Sequence, residues 1–350
     1  MSQAEVGPTG KTRSMGSIAA YAGGALTAAG ALGVGVLVGQ VLIARLTIPG
    51  AEAPPPRCDG DYGDPASYAG EPLRLAVIGD STAAGFGVRT RAETPGALLA
   101  NGIATAAHRP VKMRCPAVVG SVSAWLPAQV ETVLEAFEGR LDLAVVFIGA
   151  NDVTTGSLGA ETVAHLAEAV TTLRRAGAEV VVATCPDLGT IRPILPPLRW
   201  LARRWSRQLA AAQTVAVVRA GGRTVSLGDL LGPSFDAAPD TMFGADRYHP
   251  SAQGYAAAVE VVLPSALAAL GLGPARSSTP ESPTADPIRG RVSLPAAAVA
   301  AAHTPGTEVT AEGAFTRLRR RMRLRTPSHA GSLAVPSLTG AEAAEQGGHP

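Results

Sequence analysis

The feature that most constrains the fold of this chain is a series of five short apolar runs separated by longer segments with helical spacing. The runs lie at residues 73–79, 111–120, 141–149, 179–185 and 223–228. The third and fourth runs are apolar on both faces, which is typical of strands covered by helices on both sides. Strands that alternate with helices predict a parallel sheet between two helical layers, a three-layer α/β/α fold.

Helices are predicted between these strands and after the last one, at residues 94–108, 124–138, 159–176, 197–220 and 255–270. Together the strands and helices form one domain of some 200 residues, from about residue 71 to residue 271. Hydrophobic residues make up 46% of the chain and aromatic residues only 4%, so we expect a core of alanine, valine and leucine. The formal charge of +2 is nearly balanced and indicates no particular class of partner.

A long uncharged segment precedes this domain. Residues 17–43 hold no charged side chain over 27 positions, more than the roughly 20 residues that span a bilayer. We therefore predict a short polar tail at 1–16 and a transmembrane anchor helix at 17–44. A cleaved signal peptide is the alternative, although its apolar core would be shorter. A buried core helix is the third interpretation, and it suits so long an uncharged run least well.

The charges that flank the anchor indicate its orientation only weakly, because basic residues lie on both sides of it. The short N-terminal tail and the aspartates at 59–64 favour a cytoplasmic N-terminus. This predicts a single-pass protein of the cell membrane whose folded domain lies outside the cytoplasm. The basic residues in question are Lys11 and Arg13 before the anchor, and Arg45 and Arg57 after it.

Two segments of biased composition flank the domain. Residues 45–70 are rich in proline, glycine and aspartate and predict a linker. Residues 272–350 are rich in proline, serine and threonine and predict a mostly disordered basic tail, with a short helix at 294–303. Six arginines within 317–325 predict either a solvated tail or an arm that adheres to anionic lipid headgroups or envelope polymers. Nucleic acid is not expected as a partner of a domain that faces outward.

The three cysteines, Cys58, Cys115 and Cys185, form no CxxC pair, which argues against a zinc or redox motif. If the domain lies outside the cytoplasm, a disulfide between Cys58 and Cys115 is the first choice. Three unpaired thiols are the alternative.

The first predicted strand ends in VIGDSTAAGFG, residues 77–87, so Ser81 lies just beyond its carboxyl end. Ligands of open α/β sheets bind at that edge, and the N–H groups of a following helix N-terminus favour a developing oxyanion. The glycines fit neither a phosphate-binding loop nor the GxSxG elbow. Ser81 is therefore a candidate nucleophile, and a turn rich in small residues is the alternative.

A serine nucleophile needs a base, and His249 has the most suitable context of the six histidines. In GADRYHPSAQGY, Asp246 precedes it by three residues and Pro250 follows it at a loop-to-helix junction. The Asp246 carboxylate can therefore hydrogen-bond to the imidazole and fix its tautomer. Read alone, the motif is equally typical of an ordinary His–Asp pair on the surface.

Oxyanion donors are expected at the ends of two further strands. Asn151, in FIGAND after the third strand, can point its side-chain amide into the same crevice. Gly120, in VVGSVSAW after the second strand, allows close approach of the backbone and offers an N–H group. Taken singly, Asn151 is typical of a helix cap and Gly120 of a turn.

Together, GDST at 79–82, Gly120, GAND at 149–152 and DRYH at 246–249 resemble the four sequence blocks of the SGNH (GDSL-type) hydrolases, in the order of that family. The resemblance covers residues 71–271, and the layout of the whole chain is similar to that of membrane-anchored actinobacterial members. It implies a flavodoxin-like sheet of about five parallel strands with helices on both faces. Thr82 stands where the namesake motif has leucine, outside the catalytic roles. The resemblance implies Ser81 as nucleophile, His249 as general base, Asp246 as its orienting group, and an oxyanion hole made by the N–H groups of Ser81 and Gly120 and the side chain of Asn151.

These residues predict a serine esterase or lipase that cleaves carboxylic esters through an acyl-enzyme, with no metal or cofactor required. A small-molecule or lipid ester is favoured as substrate because the chain is tethered to a membrane. Deacetylation of an envelope polysaccharide is the alternative. Residues 191–205, with Trp200 and Trp205, either line or cover an acyl pocket or form a helix that packs on the sheet. A membrane-tethered binding module without turnover is the non-enzymatic alternative, although every catalytic position is filled by a competent residue.

Overall fold

The computed structural model describes residues 35–43, 46, 53–64, 68–228, 235, 238–273, 293–303, 307–312 and 315–320. Eight strands form one mixed sheet. In chain order they are β1 (Gly60–Tyr62), β2 (Leu73–Gly79), β3 (Val111–Arg114), β4 (Leu143–Phe147), β5 (Glu179–Ala183), β6 (Arg223–Val225), β7 (Thr307–Glu312) and β8 (Phe315–Arg320). Across the sheet the order is β1-β3-β2-β4-β5-β6-β7-β8.

The five central strands, β3-β2-β4-β5-β6, are all parallel, and they are the five strands that the sequence predicts. Their order is the 2-1-3-4-5 order of flavodoxin-like sheets. The edges differ from the prediction, because the sheet is mixed. β1 pairs antiparallel with β3 at one edge, and β7 and β8 extend β6 antiparallel at the other.

The nine helices whose bounds are given below surround the sheet, and the five long helices predicted from the sequence are confirmed among them. Two apolar layers cover the two faces of the sheet. Leu75 and Val77 of β2 belong to the first layer, whereas Ala76 and Ile78 belong to the second, as the alternation of a strand requires. The helices are α1 (Ser81–Ala84), α2 (Pro95–Ala107), α3 (Leu126–Ala136), α4 (Ala150–Thr155), α5 (Ala160–Arg175), α6 (Leu198–Arg219), α7 (Pro239–Met242), α8 (Ala252–Ala269) and α9 (Leu294–Ala302).

The segment after the predicted domain contributes to the fold. Residues 272–350 are predicted as a mostly disordered tail, but α9 packs beside α6, and β7 pairs with β6. Ala297, Ala301 and Val309 form a small buried cluster with Val218 of α6. The physical reason is that β6 would otherwise be an open edge strand, which this segment covers. The short helix predicted at 294–303 is confirmed, whereas residues 321–350, with the second half of the arginine run, lie outside the described residues.

The predicted linker at 45–70 also joins the fold, because β1 lies within it. Tyr62 and Cys58 are buried there: the Tyr62 hydroxyl donates to the Cys58 carbonyl oxygen at 2.5 Å and accepts from Arg91 at 2.9 Å. The three cysteines are free thiols, so the predicted Cys58–Cys115 disulfide is not formed. The two thiols nevertheless hydrogen-bond to each other, and this bond lowers the pKa of Cys58 and raises that of Cys115.

Of the predicted anchor at 17–44, residues 35–43 are described, and they are helical. The Gln40 side chain joins this helix to the domain: its amide nitrogen donates to the Pro196 carbonyl oxygen at 2.5 Å, and its oxygen accepts from the Leu198 N–H at 3.0 Å. Within the described residues, α8 is the helix long and apolar enough to cross a membrane. Its contacts with α2 and β5 account for that composition.

Candidate active site

The predicted site residues lie at the carboxyl edge of the parallel sheet. β2 ends at Gly79, and Ser81 begins α1 two residues later. Gly120 follows β3, and Asn151 follows β4 in the first turn of α4. Asp246 and His249 lie in the loop between α7 and α8.

The turn after β2 depends on Gly79. Its φ is +138°, and a Cβ atom there would lie 1.8 Å from the carbonyl oxygen of Phe147 on the neighbouring strand. Only glycine allows this close approach. Asp80 then caps α1, because its carboxylate accepts the Thr82 N–H at 2.8 Å. The sharp turn leaves Ser81 at the end of the strand with only 6% of its surface exposed.

Hydrogen bonds connect Ser81, His249 and Asp246 in one chain. The distance from Ser81 Oγ to His249 Nε2 is 2.9 Å, and that from His249 Nδ1 to Asp246 Oδ2 is 2.6 Å. Asp246 Oδ1 also accepts the N–H groups of Tyr248 and His249, at 3.0 Å each. A carboxylate at Nδ1 favours the tautomer that leaves Nε2 free to take a proton from Ser81.

The imidazole of His249 packs between two aromatic rings. Phe86 and Tyr248 contact it edge to face, with centroid distances of 4.6 and 4.8 Å. The Tyr255 hydroxyl, at the start of α8, donates to the Phe86 carbonyl oxygen at 2.7 Å and holds that loop in place. The sequence analysis did not predict the packing of Phe86 and Tyr248 on His249, although Phe86 lies in the segment that contains Ser81 and Tyr248 directly precedes His249.

Two carboxyl groups of the site have shifted pKa values. Burial alone would raise the pKa of Asp246, but hydrogen bonds from the His249 ring and from the Tyr248 and His249 amides outweigh it and lower the pKa. Asp80 is fully enclosed, and desolvation raises its pKa to about 6 despite its bond from Thr82. Asp246 therefore stays ionised at neutral pH, as a partner of an imidazolium must.

The predicted oxyanion donors lie on neighbouring loops. Asn151 Nδ2 donates to the Ser121 carbonyl oxygen at 3.0 Å, which orients the amide and leaves its second N–H for another acceptor. Gly120 has a φ of +84°, and a Cβ atom there would meet no atom within 4 Å, so open space lies beside it.

Two buried polar side chains that sequence reasoning missed hold these loops together. Gln129 of α3 accepts the Gly79 N–H at 2.7 Å and donates to the Gly79 carbonyl oxygen at 2.9 Å and to Ser121 Oγ at 3.1 Å. The Asp152 carboxylate accepts the backbone N–H and the hydroxyl of Ser123, at 2.9 and 2.8 Å. Asp152 is part of the GAND block, but nothing in the sequence distinguishes Gln129 from other polar helix residues.

A small apolar cavity opens beside Ser81 and His249. Its volume is about 40 Å³, which is room for about three water molecules. Residues 191–205 were predicted to line or cover a pocket or to pack on the sheet. Ile191 lies on the cavity wall, whereas Trp200 is 66% exposed. Trp205 packs against a buried apolar cluster that includes Leu188 and Leu209. The other apolar wall residues include Leu188, Leu227, Phe243 and Ala258.

Comparison with known proteins shows the family to which this chain belongs. The model of the GDSL-like Lipase/Acylhydrolase family matches residues 77–257. The GDSL-like esterase Rv1075c of Mycobacterium tuberculosis (strain ATCC 25618 / H37Rv) is 42% identical over 260 residues, which are 70% of this chain and 81% of the relative.

Solved structures that resemble this chain are more distant in sequence. The crystal structure of TesA is 23% identical, covers 57% of this chain and 99% of its own, and has a TM-score of 0.46. The psychrotrophic esterase EstA from Pseudoalteromonas sp. is 17% identical, covers 56% of this chain and 98% of its own, and has a TM-score of 0.43. The family match and the curated relative favour an enzyme over a binding module without turnover. The chain belongs to the GDSL-like lipase/acylhydrolase family and is an ester hydrolase.

Proposed function

We propose that this protein hydrolyses carboxylic esters by acyl transfer through a triad of Ser81, His249 and Asp246. The observation that carries the proposal is the unbroken chain of hydrogen bonds from Ser81 Oγ to the Asp246 carboxylate, at 2.9 and 2.6 Å. Ser81 Oγ attacks the ester carbonyl while His249 Nε2 takes its proton. Asp246 stabilises the imidazolium that forms.

The negative charge on the carbonyl oxygen then needs donors. The N–H groups of Ser81 and Gly120 and the free N–H of the Asn151 amide supply them in this proposal. His249 returns its proton to the leaving alcohol, which gives an acyl ester on Ser81. A water molecule, deprotonated by His249, attacks this acyl-enzyme, and the carboxylic acid leaves as Ser81 regains its proton.

The cavity beside Ser81 favours a short acyl group. At about 40 Å³, room for about three water molecules, it suits an acyl group of about two to four carbons better than a fatty acyl chain. Short-chain acyl esters are thus the first choice of substrate. The same small cavity favours O-deacetylation of an envelope polysaccharide as a second candidate function.

The catalytic proposal is tested on the full chain in detergent with p-nitrophenyl esters of two, four, eight and sixteen carbons. Ser81→Ala and His249→Ala are expected to lose at least 10³-fold in kcat, and activity is expected to fall beyond four carbons. Ser157→Ala, an exposed serine outside the site, is the matched control. Full activity of Ser81→Ala would refute the triad. Release of acetate from an acetylated sugar at a higher kcat/KM than from p-nitrophenyl acetate would favour the second candidate.

The N-terminal segment indicates where in the cell the enzyme acts. The 27-residue uncharged run at 17–43 and the helical conformation of residues 35–43 support a single-pass membrane anchor. The short N-terminal tail and the aspartates at 59–64 favour a catalytic domain outside the cytoplasm. A membrane-impermeant fluorophosphonate applied to intact cells tests this. Labelling before lysis is expected, and labelling only after lysis would contradict the orientation.

A further inference from the structure

We propose that one face of the domain docks on an anionic phospholipid surface and holds the entrance of the acyl cavity at the membrane. This docking face is formed by Arg192, Leu195, Arg199, Trp200 and Arg203. The inference rests on the proposed membrane anchor but not on the assignment of the catalytic residues.

The charge of this region is the first observation. Between residues 187 and 207 the chain carries five arginines and a single carboxylate, Asp187. The Asp187 carboxylate is buried and already binds Arg203 at 3.3 Å and Arg207 at 3.0 Å. Within the described residues, the Arg199 guanidinium has no hydrogen bond or ion pair. The face therefore has an excess of positive charge that suits anionic headgroups.

The shape and polarity of the surface are the second observation. Arg192, Arg199, Trp200 and Arg203 line an open groove of about 430 Å³. Trp200 is 66% exposed and Leu195 is 48% exposed. Exposed tryptophan and leucine side chains beside arginines are typical of protein surfaces that bind membranes. On such surfaces the indole ring lies at the depth of the lipid headgroups, and the arginines bind the phosphate groups.

The position of the N-terminal helix is the third observation. Gln40 hydrogen-bonds to the backbone at Pro196 and Leu198. There the loop with Arg192 and Leu195 meets the first turn of α6, which carries Arg199 and Trp200. Ile43 lines a second groove together with Arg192 and Leu195. An anchor that ends at residue 44 therefore brings this loop, rather than the opposite side of the domain, to the lipid surface.

The docking face adjoins the acyl cavity. Leu188 and Ile191 line that cavity, while Gly189 and Arg192, in the same loop, line the arginine groove. A domain held by this face keeps the cavity entrance at the bilayer, so that esters partitioned into the headgroup region reach Ser81 directly.

The test measures how the domain lies on the membrane, using the full chain reconstituted in phosphatidylcholine vesicles with or without 30% phosphatidylglycerol. Quenching of Trp200 by bromine-labelled lipids reports docking, and the Trp200→Phe variant gives the background from the other tryptophans. We expect stronger quenching with phosphatidylglycerol, and loss of the difference at high salt. Arg199→Gln is expected to lower the ratio of docked to undocked domain about fivefold, the usual effect of one charge at such a surface.

Arg219→Gln is the matched control, because it removes a charge from the same helix about 30 Å away; it is expected to leave quenching unchanged. Equal quenching in both kinds of vesicle, or an equal effect of the two arginine variants, would overturn the proposal. Salt-sensitive binding of a soluble polyanion with no preference for anionic vesicles would overturn it as well. Ser81→Ala is expected to dock normally, so failure of docking and failure of the esterase proposal give different results.

Discussion

At the scale of single residues, the site depends on how firmly the imidazole of His249 is held. The Asp246 carboxylate binds its Nδ1 atom at 2.6 Å, and Phe86 and Tyr248 pack on the ring. Sequence motifs predict which groups react, because the chemistry of an ester hydrolase restricts the residue type. They do not identify Phe86 or Gln129, whose roles arise only from contacts made in the folded state.

Replacement of Asn151 by alanine is expected to lower kcat for p-nitrophenyl acetate about a hundredfold or more, with a small change in KM. The physical reason is that an oxyanion donor acts mainly in the transition state, where its loss costs about 2.7–4 kcal/mol. Thr154→Ala, on the exposed side of the same short helix, is the control. A kcat within threefold of the wild type would exclude the amide from the oxyanion hole.

Asp80 predicts a pH effect on stability. Its pKa is raised by burial from 3.8 to about 6 in the folded state, so the folded protein binds more protons than the unfolded chain between these values. The free energy of unfolding therefore falls as pH rises through this range, by up to about 3 kcal/mol from this group.

The Asp80→Asn variant keeps the helix cap but removes this proton linkage. The wild type loses this stabilisation as pH rises and the variant does not. The free energy of unfolding of the variant, relative to that of the wild type, is therefore expected to be about 2–3 kcal/mol higher at pH 7 than at pH 4. Urea denaturation at both pH values measures the difference. The same difference between variant and wild type at both pH values would show that Asp80 does not carry the effect.

At the scale of elements, the strands and helices of the parallel core were predictable because burial on both faces gives long apolar runs. β1, β7 and β8 were not, since short edge strands lie among polar and proline-rich segments and pair with only part of the sheet. Helix α9 is nearly all alanine and small aliphatic side chains, which gives a weak amphipathic signal. Its packing on α6 is a tertiary contact that composition does not reveal.

Truncation distinguishes a packed segment from a tail. A chain that ends at residue 273 lacks α9, β7 and β8, which exposes Val218 and the edge of β6. We expect a loss of about 3 kcal/mol in the free energy of unfolding, from the apolar surface uncovered, and a tendency to aggregate. A chain that ends at residue 320 is the control, with no expected change. Equal melting temperatures of both truncations and the full chain would contradict the packing.

The pairing of β1 with β3 leads us to expect that an oxidant links Cys58 and Cys115 through a disulfide bond. Gly60 pairs with Met113 in an antiparallel register, so Cys58 and Cys115 face each other two residues further on. With oxidised glutathione, two thiol–disulfide exchanges are expected to link them and release two molecules of reduced glutathione. Closing a loop of about 60 residues is expected to raise stability by about 4 kcal/mol.

Mass spectrometry of unreduced peptides and thermal unfolding measure the link and its effect on stability. Cys185 is the internal control, since once Cys58 and Cys115 are linked the chain holds no further cysteine to pair with it, and it is expected to remain a thiol. Persistence of the Cys58 and Cys115 thiols in excess oxidant would contradict the prediction.

At the scale of the whole molecule, the strand order explains why four distant sequence blocks form one site. β2, β3 and β4 are neighbours in the sheet, so their carboxyl ends bring Ser81, Gly120 and Asn151 to one edge. The loop before α8 places His249 and Asp246 at the same edge of the sheet. This convergence was predictable because parallel strands place their ends together. The membrane anchor remains a prediction from the uncharged run at 17–43.

The proposed catalysis depends above all on Ser81 as the nucleophile. The most direct measurement is to inactivate the full chain with a fluorophosphonate and to locate the adduct by peptide mass spectrometry. One phosphonyl group is expected on Ser81, in the peptide that contains VIGDSTAAGFG, with activity lost in proportion to labelling. An adduct on another residue, or full esterase activity after complete modification of Ser81, would contradict it.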